Sequence, residues 1–252
     1  MPIAVSAQQA YAQRRGNTFK DVIAQPFYSR LYMGSEPRGV GVVDPDKMSM
    51  AQAYLVEQPA DSTVAPHFHD TNQFQVVVHG TGAFGKQALS GLLVHYAGAH
   101  TPYRPIVAAE QGVHYFTLRN NWDSGAKIMP ENRAKLRKVK RVHRMATNVD
   151  VPSVQTLKGV ALDLTDIVPV EADGLGVRRF DVGPGRTCEV GFDVAGAGAY
   201  MLVLAGSIAY AQVVYETHSL IHTAADEAPP TVVAGADGAR VLLLQYPPEP
   251  AA

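Results

Sequence analysis

The chain has 252 residues, 46% of them hydrophobic and 18% charged, with 22 Lys and Arg against 23 Asp and Glu for a net charge of −1. That length holds one large or two ordinary domains, and so even a balance excludes a molecule built as a whole to bind nucleic acid or a charged membrane surface. The single cysteine, Cys188, excludes a disulfide framework within the chain and fits a reducing compartment.

Met1 to Gln13 is small and polar and meets Arg14 and Arg15 early. It lacks the basic-then-apolar order of a signal peptide, and no apolar run approaches the roughly 18 residues of a membrane helix, so a cytoplasmic protein is expected. A short helix is expected over Ala7 to Arg14, stopped at Gly16 and Asn17. From there short apolar runs are broken by Gly, Pro and Asp, the texture of an all-β chain. Strands are expected at Phe27 to Tyr32, at Val40 to Val43 (stopped by Asp44-Pro45-Asp46) and at Met50 to Glu57. Gln73 to His79 and Ala83 to Leu89 form a hairpin across Gly80-Thr81-Gly82. Leu92 to Tyr96, an irregular loop from Ala97 to Gln111, and Val113 to Arg119 complete the set.

Composition then changes. Arg133 to Arg144 carries seven Lys or Arg and no acid. Pro130 and Glu131 mark a helix start before it, and the stretch reads as a solvated helix or linker between two domains. It lacks the aromatic residues that stack single-stranded nucleic acid, so nucleic acid is not an expected partner. Strands resume at Val177 to Val182, Val190 to Val194, Tyr200 to Ala205, Ile208 to Tyr215, Val232-Val233 and Val241 to Tyr246. Within them Cys188, between Thr187 and Glu189 with no His near, reads as an ordinary thiol.

The second set repeats the first. A shift of 126 lays Gly80 on Gly206, with Val76-Val77-Val78 on Leu202-Val203-Leu204, and Gly112 on Gly238, with Val113–Leu118 on Ala239–Leu244. Two landmarks on one offset identify a duplication. The expected division is residues 1–126, a basic linker 127–150, and a second copy 151–252.

The chemistry sits in the first copy. His67 and His69, two residues apart, share one face of a strand, and Gln73 follows with an amide oxygen. Two imidazoles and an oxygen on one β face are how a mononuclear metal site begins. At the 126 offset the three fall on Asp193, Ala195 and Ala199, so the second copy keeps the strands and loses the ligands. His218 and His222 read as structural.

Residues 61–80 resemble the first signature of the cupin superfamily, H-x-H, three or four residues, Glu, six residues, Gly. Here it runs His67-Phe68-His69, three residues, Gln73, six residues, Gly80. Gln73 replaces the usual Glu and removes a negative charge; Asp61 replaces the leading Gly. The resemblance implies a two-domain bicupin, two tandem jelly-roll β-barrels with short helices at the start and between them, and a metal in the first barrel only. In cupins a further histidine comes from a second signature, G-x5-P-x-G-x2-H-x3-N. This chain offers Gly91, then Tyr96-Ala97-Gly98-Ala99-His100, then Arg104. His100 is thus the implied third imidazole and His95 the alternative; His79 and His114 are taken as non-ligands. The implied cofactor is one divalent transition metal, iron first, then nickel, copper, zinc or manganese.

After His100, Pro102 and Pro105 stiffen a loop that carries Tyr103 and Arg104. Arg can hold a carboxylate or enolate and Tyr can donate a proton, so both are catalytic candidates. The expected function is a metal-dependent enzyme acting on a small oxygen-bearing organic substrate, first of all a dioxygenase-like oxidoreductase. The alternatives are a non-catalytic small-molecule-binding bicupin or a cupin isomerase or lyase. Open sheet edges make a homodimer a further expectation.

Overall fold

Period-two alternation decides where strands form. In Val113 to Arg119 the residues Val113, Tyr115, Thr117 and Arg119 share one face, His114, Phe116 and Leu118 the other. A computed structural model describes residues 1–34 and 50–248, and the strand expected at Val40 to Val43 lies outside these. In chain order the strands are β1 (Ile3–Val5), β2 (Arg14–Asn17), β3 (Phe27–Met33), β4 (Gln52–Gln58), β5 (Thr63–Val64), β6 (His67–Phe68), β7 (Gln73–Phe84), β8 (Gln87–Ser90), β9 (Leu92–Ala97), β10 (Ile106–Arg119), β11 (Lys127–Ile128) and β12 (His143–Val149). They continue as β13 (Leu162–Val168), β14 (Gly176–Val182), β15 (Thr187–Glu189), β16 (Ala199–Tyr210), β17 (Val213–Glu216), β18 (Leu220–Thr223) and β19 (Thr231–Gln245). The helices are short: α1 (Ala7–Ala12) and 3-10 turns at Arg133–Lys135 and Val154–Leu157. No helix among the described residues is long and apolar enough to cross a membrane.

The strands make two antiparallel barrels. One sheet runs β12-β9-β7-β10-β4-β3-β2, with β5 on β10 and β8 on β7; the other runs β1-β18-β16-β19-β14-β13, with β15 on β19 and β17 on β16. The compact units are residues 11–150 and, for the second barrel, 1–10 with 151–248. β1 pairs with β18, Ile3 opposite His222, and takes there the edge place that β12 takes on β9. The basic stretch does not continue as a helix. Its like charges repel along a helix, only one 3-10 turn forms, and His143–Val149 joins the first sheet as β12.

The duplication has a steric cause. Gly80 (φ +95°) passes so close to the facing strand that a Cβ there would stand 2.0 Å from the Gly112 carbonyl oxygen. Gly206 (φ +74°) repeats this against Gly238, at 2.2 Å. No other residue tolerates that approach or that backbone. The offset of 126 holds from β7 to the last strand but not before it. Thr63 faces Val107, whereas Thr187 faces Val233, an offset of 124. Two extra residues therefore enter the second copy between Cys188 and Ala199. The histidine positions fall on that interval, so the pairing of His67 and His69 with Asp193 and Ala195 does not follow from register.

The first core packs Val56, Val77, Leu93, Ile106, Val113 and Tyr115. The second packs Val182, Met201, Val203, Ile221, Val241 and Leu243.

Candidate functional site

β6, the turn after it and the start of β7 carry His67, His69 and Gln73 into the first barrel, where all three are buried. They form the floor of a cavity of about 60 Å³ with Tyr103 and Arg119. Phe19, Val22, Ile23, Phe27, Val56 and Val64 supply apolar wall.

The backbone and Asp123 set the two imidazoles. Nδ1 of His67 lies 2.6 Å from the Ala65 carbonyl oxygen, and Nδ1 of His69 lies 2.7 Å from Oδ1 of Asp123. Since those oxygens accept, both Nδ1 atoms carry hydrogen, and both Nε2 atoms are left as acceptors. Asp123 is itself held by the amides of Asp70 (2.8 Å) and Gly125 (2.7 Å). Burial would raise its carboxyl, but His69, Arg119 and Lys127 outweigh burial and keep it far below the usual carboxylate range. Burial, then the His69 ring, lowers His67 to about 3; burial, then the Arg119 charge, lowers His69 to about 4. Both rings are neutral near pH 7.

The two Nε2 atoms are met by protein groups. Tyr103 Oη lies 2.6 Å from Nε2 of His67 and receives Nε2–H of Gln73 at 3.0 Å. Nη2 of Arg119 donates to Oε1 of Gln73 at 2.5 Å and lies over the His69 ring, 3.2 Å from both Nδ1 and Nε2. Nη1 of Arg119 donates to Oε1 of Gln52 (2.5 Å) and Oη of Tyr54 (3.1 Å). Arg119 is fully buried, so its charge lies in the wall of the cavity.

The remaining site expectations divide. Tyr103 comes to the cavity, its amide also bonding the His67 carbonyl at 3.1 Å. Arg104 does not: it is exposed, its stem crosses Gly85, and it faces a separate shallow cleft with Lys86 and His143. His100 does not line the cavity either. Its amide bonds the His69 carbonyl at 2.8 Å, and its ring packs on Phe68, which points away from the histidine face. His95 is fully buried, with Nδ1 2.9 Å from Oε1 of Gln75 and the ring against Phe84, and it too is outside the cavity lining. Sequence reasoning missed Arg119 and Asp123. A signal for Arg119 was present: it shares the inward face of β10 with Tyr115 and Thr117.

As arranged, these residues do not fit a divalent ion. Among the described residues no three His, Cys, Asp or Glu side chains are grouped to hold one, and no carboxylate lines the cavity. An ion bonded to His69 Nε2 would stand within about 4 Å of the guanidinium, a repulsion on the order of 8 kcal/mol at an effective dielectric of about 20.

No family model matches the sequence, and no curated protein does. Solved structures do. A candidate dioxygenase of Nostoc punctiforme is similar over 99% of this chain and 88% of its own, with TM-score 0.64 and 12% identity. The bacterial pirin of Escherichia coli in complex with nickel(II) is similar over 98% and 100%, with TM-score 0.53 and 13% identity. A mutant of Bacillus subtilis oxalate decarboxylase is similar over 95% and 77%, with TM-score 0.54 and 10% identity. What these likenesses establish is the architecture: the chain has the fold of the cupin-type proteins.

Proposed function

We propose that the first barrel binds a small oxygen-bearing organic molecule in the cavity above His67, His69, Gln73, Tyr103 and Arg119. The observation that carries this reading is the contrast between floor and walls. His67, Gln73, Tyr103 and Arg119 are joined by hydrogen bonds at the floor, and the rest of the lining is mostly apolar or aromatic with Asn17, Ser29, Gln75 and Thr117 among it, the pattern of a small-molecule site. A volume near 60 Å³ has room for about five waters, which favours a ligand of few heavy atoms. A ligand hydroxyl or carboxylate would open the Tyr103–His67 hydrogen bond, taking the freed Tyr103 hydroxyl as donor or His67 Nε2 as acceptor beside the Arg119 charge.

The test is calorimetric titration with small hydroxy acids, diketones and catechols, wild type beside Tyr103→Phe. A ligand of this class should bind the wild type and lose about tenfold in affinity in the variant, one hydrogen bond's worth. Binding that is indifferent to Tyr103→Phe and to Gln73→Leu would remove the reading.

A metal-dependent dioxygenase is the second reading. Its support is the fold shared with the Nostoc punctiforme and nickel-bound pirin structures. It requires His67, His69 and Gln73 to exchange Tyr103 and Arg119 for an ion. Metal analysis of the wild type beside His67→Ala tests it: about one ion per chain, lost in the variant, is its expected result.

A further inference from the structure

We propose that Arg119 is the resident cation of this site, and that its guanidinium masks a metal site latent in His67, His69 and Gln73. The inference goes beyond ligand binding and does not depend on which molecule the cavity takes.

The donors are set as a metal would need them. Each Nδ1–H is bonded outward, to Ala65 O and to Asp123, which leaves both Nε2 lone pairs facing inward. The two rings stand 5.0 Å apart, edge to face. Gln73 brings Oε1 to the same floor. Yet Nη2 of Arg119 donates to Gln73 Oε1 at 2.5 Å and lies over the His69 ring, 3.2 Å from both Nδ1 and Nε2, so its charge stands where an ion on these donors would. Tyr103 Oη closes on the third, His67 Nε2.

The guanidinium is also fixed from behind. Gln52 and Tyr54 on β4 hold Nη1, and the side chain is fully buried, so its charge has no route to solvent past them. A planar fork with donors on both nitrogens suits Gln52, Tyr54 and Gln73 at once. Gln73 suits it as well: the amide accepts from Arg119 and passes its own hydrogen to Tyr103, which donates to His67. One cation thus orients Gln73 and, through it, Tyr103, while Ala65 and Asp123 set the two rings.

The second barrel provides the control. Leu118 faces Phe74 and Leu244 faces Tyr200, so Arg119 corresponds to Gln245. Gln245 spends its amide on the carbonyls of Gly174 and Val194, and Ala199 stands where the first barrel has Gln73. The arginine accompanies the donors.

The experiment is titration of the purified full chain with nickel(II), followed by calorimetry and by elemental analysis after dialysis. The wild type should retain no stoichiometric nickel(II). Arg119→Met should bind about one per chain with at least ~100-fold higher affinity, and adding His67→Ala should abolish the gain. Wild type holding one nickel(II) lost in His67→Ala overturns the proposal, as does a folded Arg119→Met that gains none. Gln73→Glu decides the matter if Arg119→Met does not fold. With Arg119 resident, the carboxylate introduced by Gln73→Glu pairs with the guanidinium and the chain stays metal-free; one nickel(II) per chain in that variant contradicts the proposal.

Discussion

Each barrel buries an arginine on its last long strand, Arg119 on β10 and Arg240 on β19. They stand in opposite phase of the strand period. Arg119 follows Val113 and Tyr115 on the face that packs the first core, whereas Arg240 lies between Ala239 and Val241, which pack the second. Arg240 therefore turns away from its core. It pairs with Asp181 and donates to the Pro152 and Ser153 carbonyls and to Thr156, tying the segment that precedes β13 to the barrel. Arg119 turns inward and meets side-chain acceptors around a cavity. One residue of phase separates a tie between segments from the floor of a cavity. The second barrel has a cavity too, about 210 Å³, but Ala199 and Gln245 line it where the first barrel has Gln73 and Arg119.

The sharpest way to break this comparison is to neutralise Asp181, which pairs with Arg240, and Asp123, which pairs with His69 and Lys127. Asp123 and Asp181 are both buried, and loss of a buried carboxylate leaves the cationic groups around it uncompensated, at about 3–5 kcal/mol. Asp123→Asn and Asp181→Asn should lower unfolding free energy by similar amounts in denaturant titrations. Only Asp123→Asn should also weaken ligand binding, because only it orients an imidazole of the floor. Equal effects of the two on binding would erase the distinction.

The shared scaffold predicts a symmetric effect. Gly80→Ala and Gly206→Ala each force a Cβ against a facing carbonyl in left-handed backbone, and each should cost about 2–3 kcal/mol, read as a fall in Tm. Acid should separate the barrels again. His67 and His69 titrate at about 3 and 4 when folded, below the unfolded value near 6.5. Between those limits the unfolded chain binds more protons, so stability is full above pH about 6.5 and falls as pH drops toward 4. The second barrel has one such group, His222, lowered to about 4 chiefly by burial. Hydrogen exchange should show the first barrel loosening more between pH 6.5 and 4. The smallest effect belongs to Arg104→Ala. That side chain is exposed and outside the cavity, so stability should change by less than about 0.5 kcal/mol and ligand affinity not measurably.

The fold was legible because its strongest constraints are local. Alternating apolar runs specify strands, and the close approach at Gly80 and Gly206 leaves the same glycine landmark in both copies. His67, His69 and Gln73 were legible for the same reason: a spacing of two on a strand puts rings on one face. What escaped depends on distance in sequence. Asp123 reaches His69 across 54 residues, and β1 pairs with a strand more than 200 residues away. His100 follows a strand and a glycine turn at about the distance of a signature, but φ of +55° turns its ring onto Phe68. Arg119 was read as the end of a strand, although its phase with Tyr115 and Thr117 placed it inward. The basic run suggested a helix, and its charges, with no acid to pair them, leave it extended.

The most direct measurement is anomalous diffraction from crystals of the wild-type protein soaked in nickel(II). The resident-arginine account predicts no anomalous peak between His67 Nε2 and His69 Nε2, with Arg119 still donating to Gln73. A peak about 2.1 Å from both Nε2 atoms, with the guanidinium displaced, would contradict it.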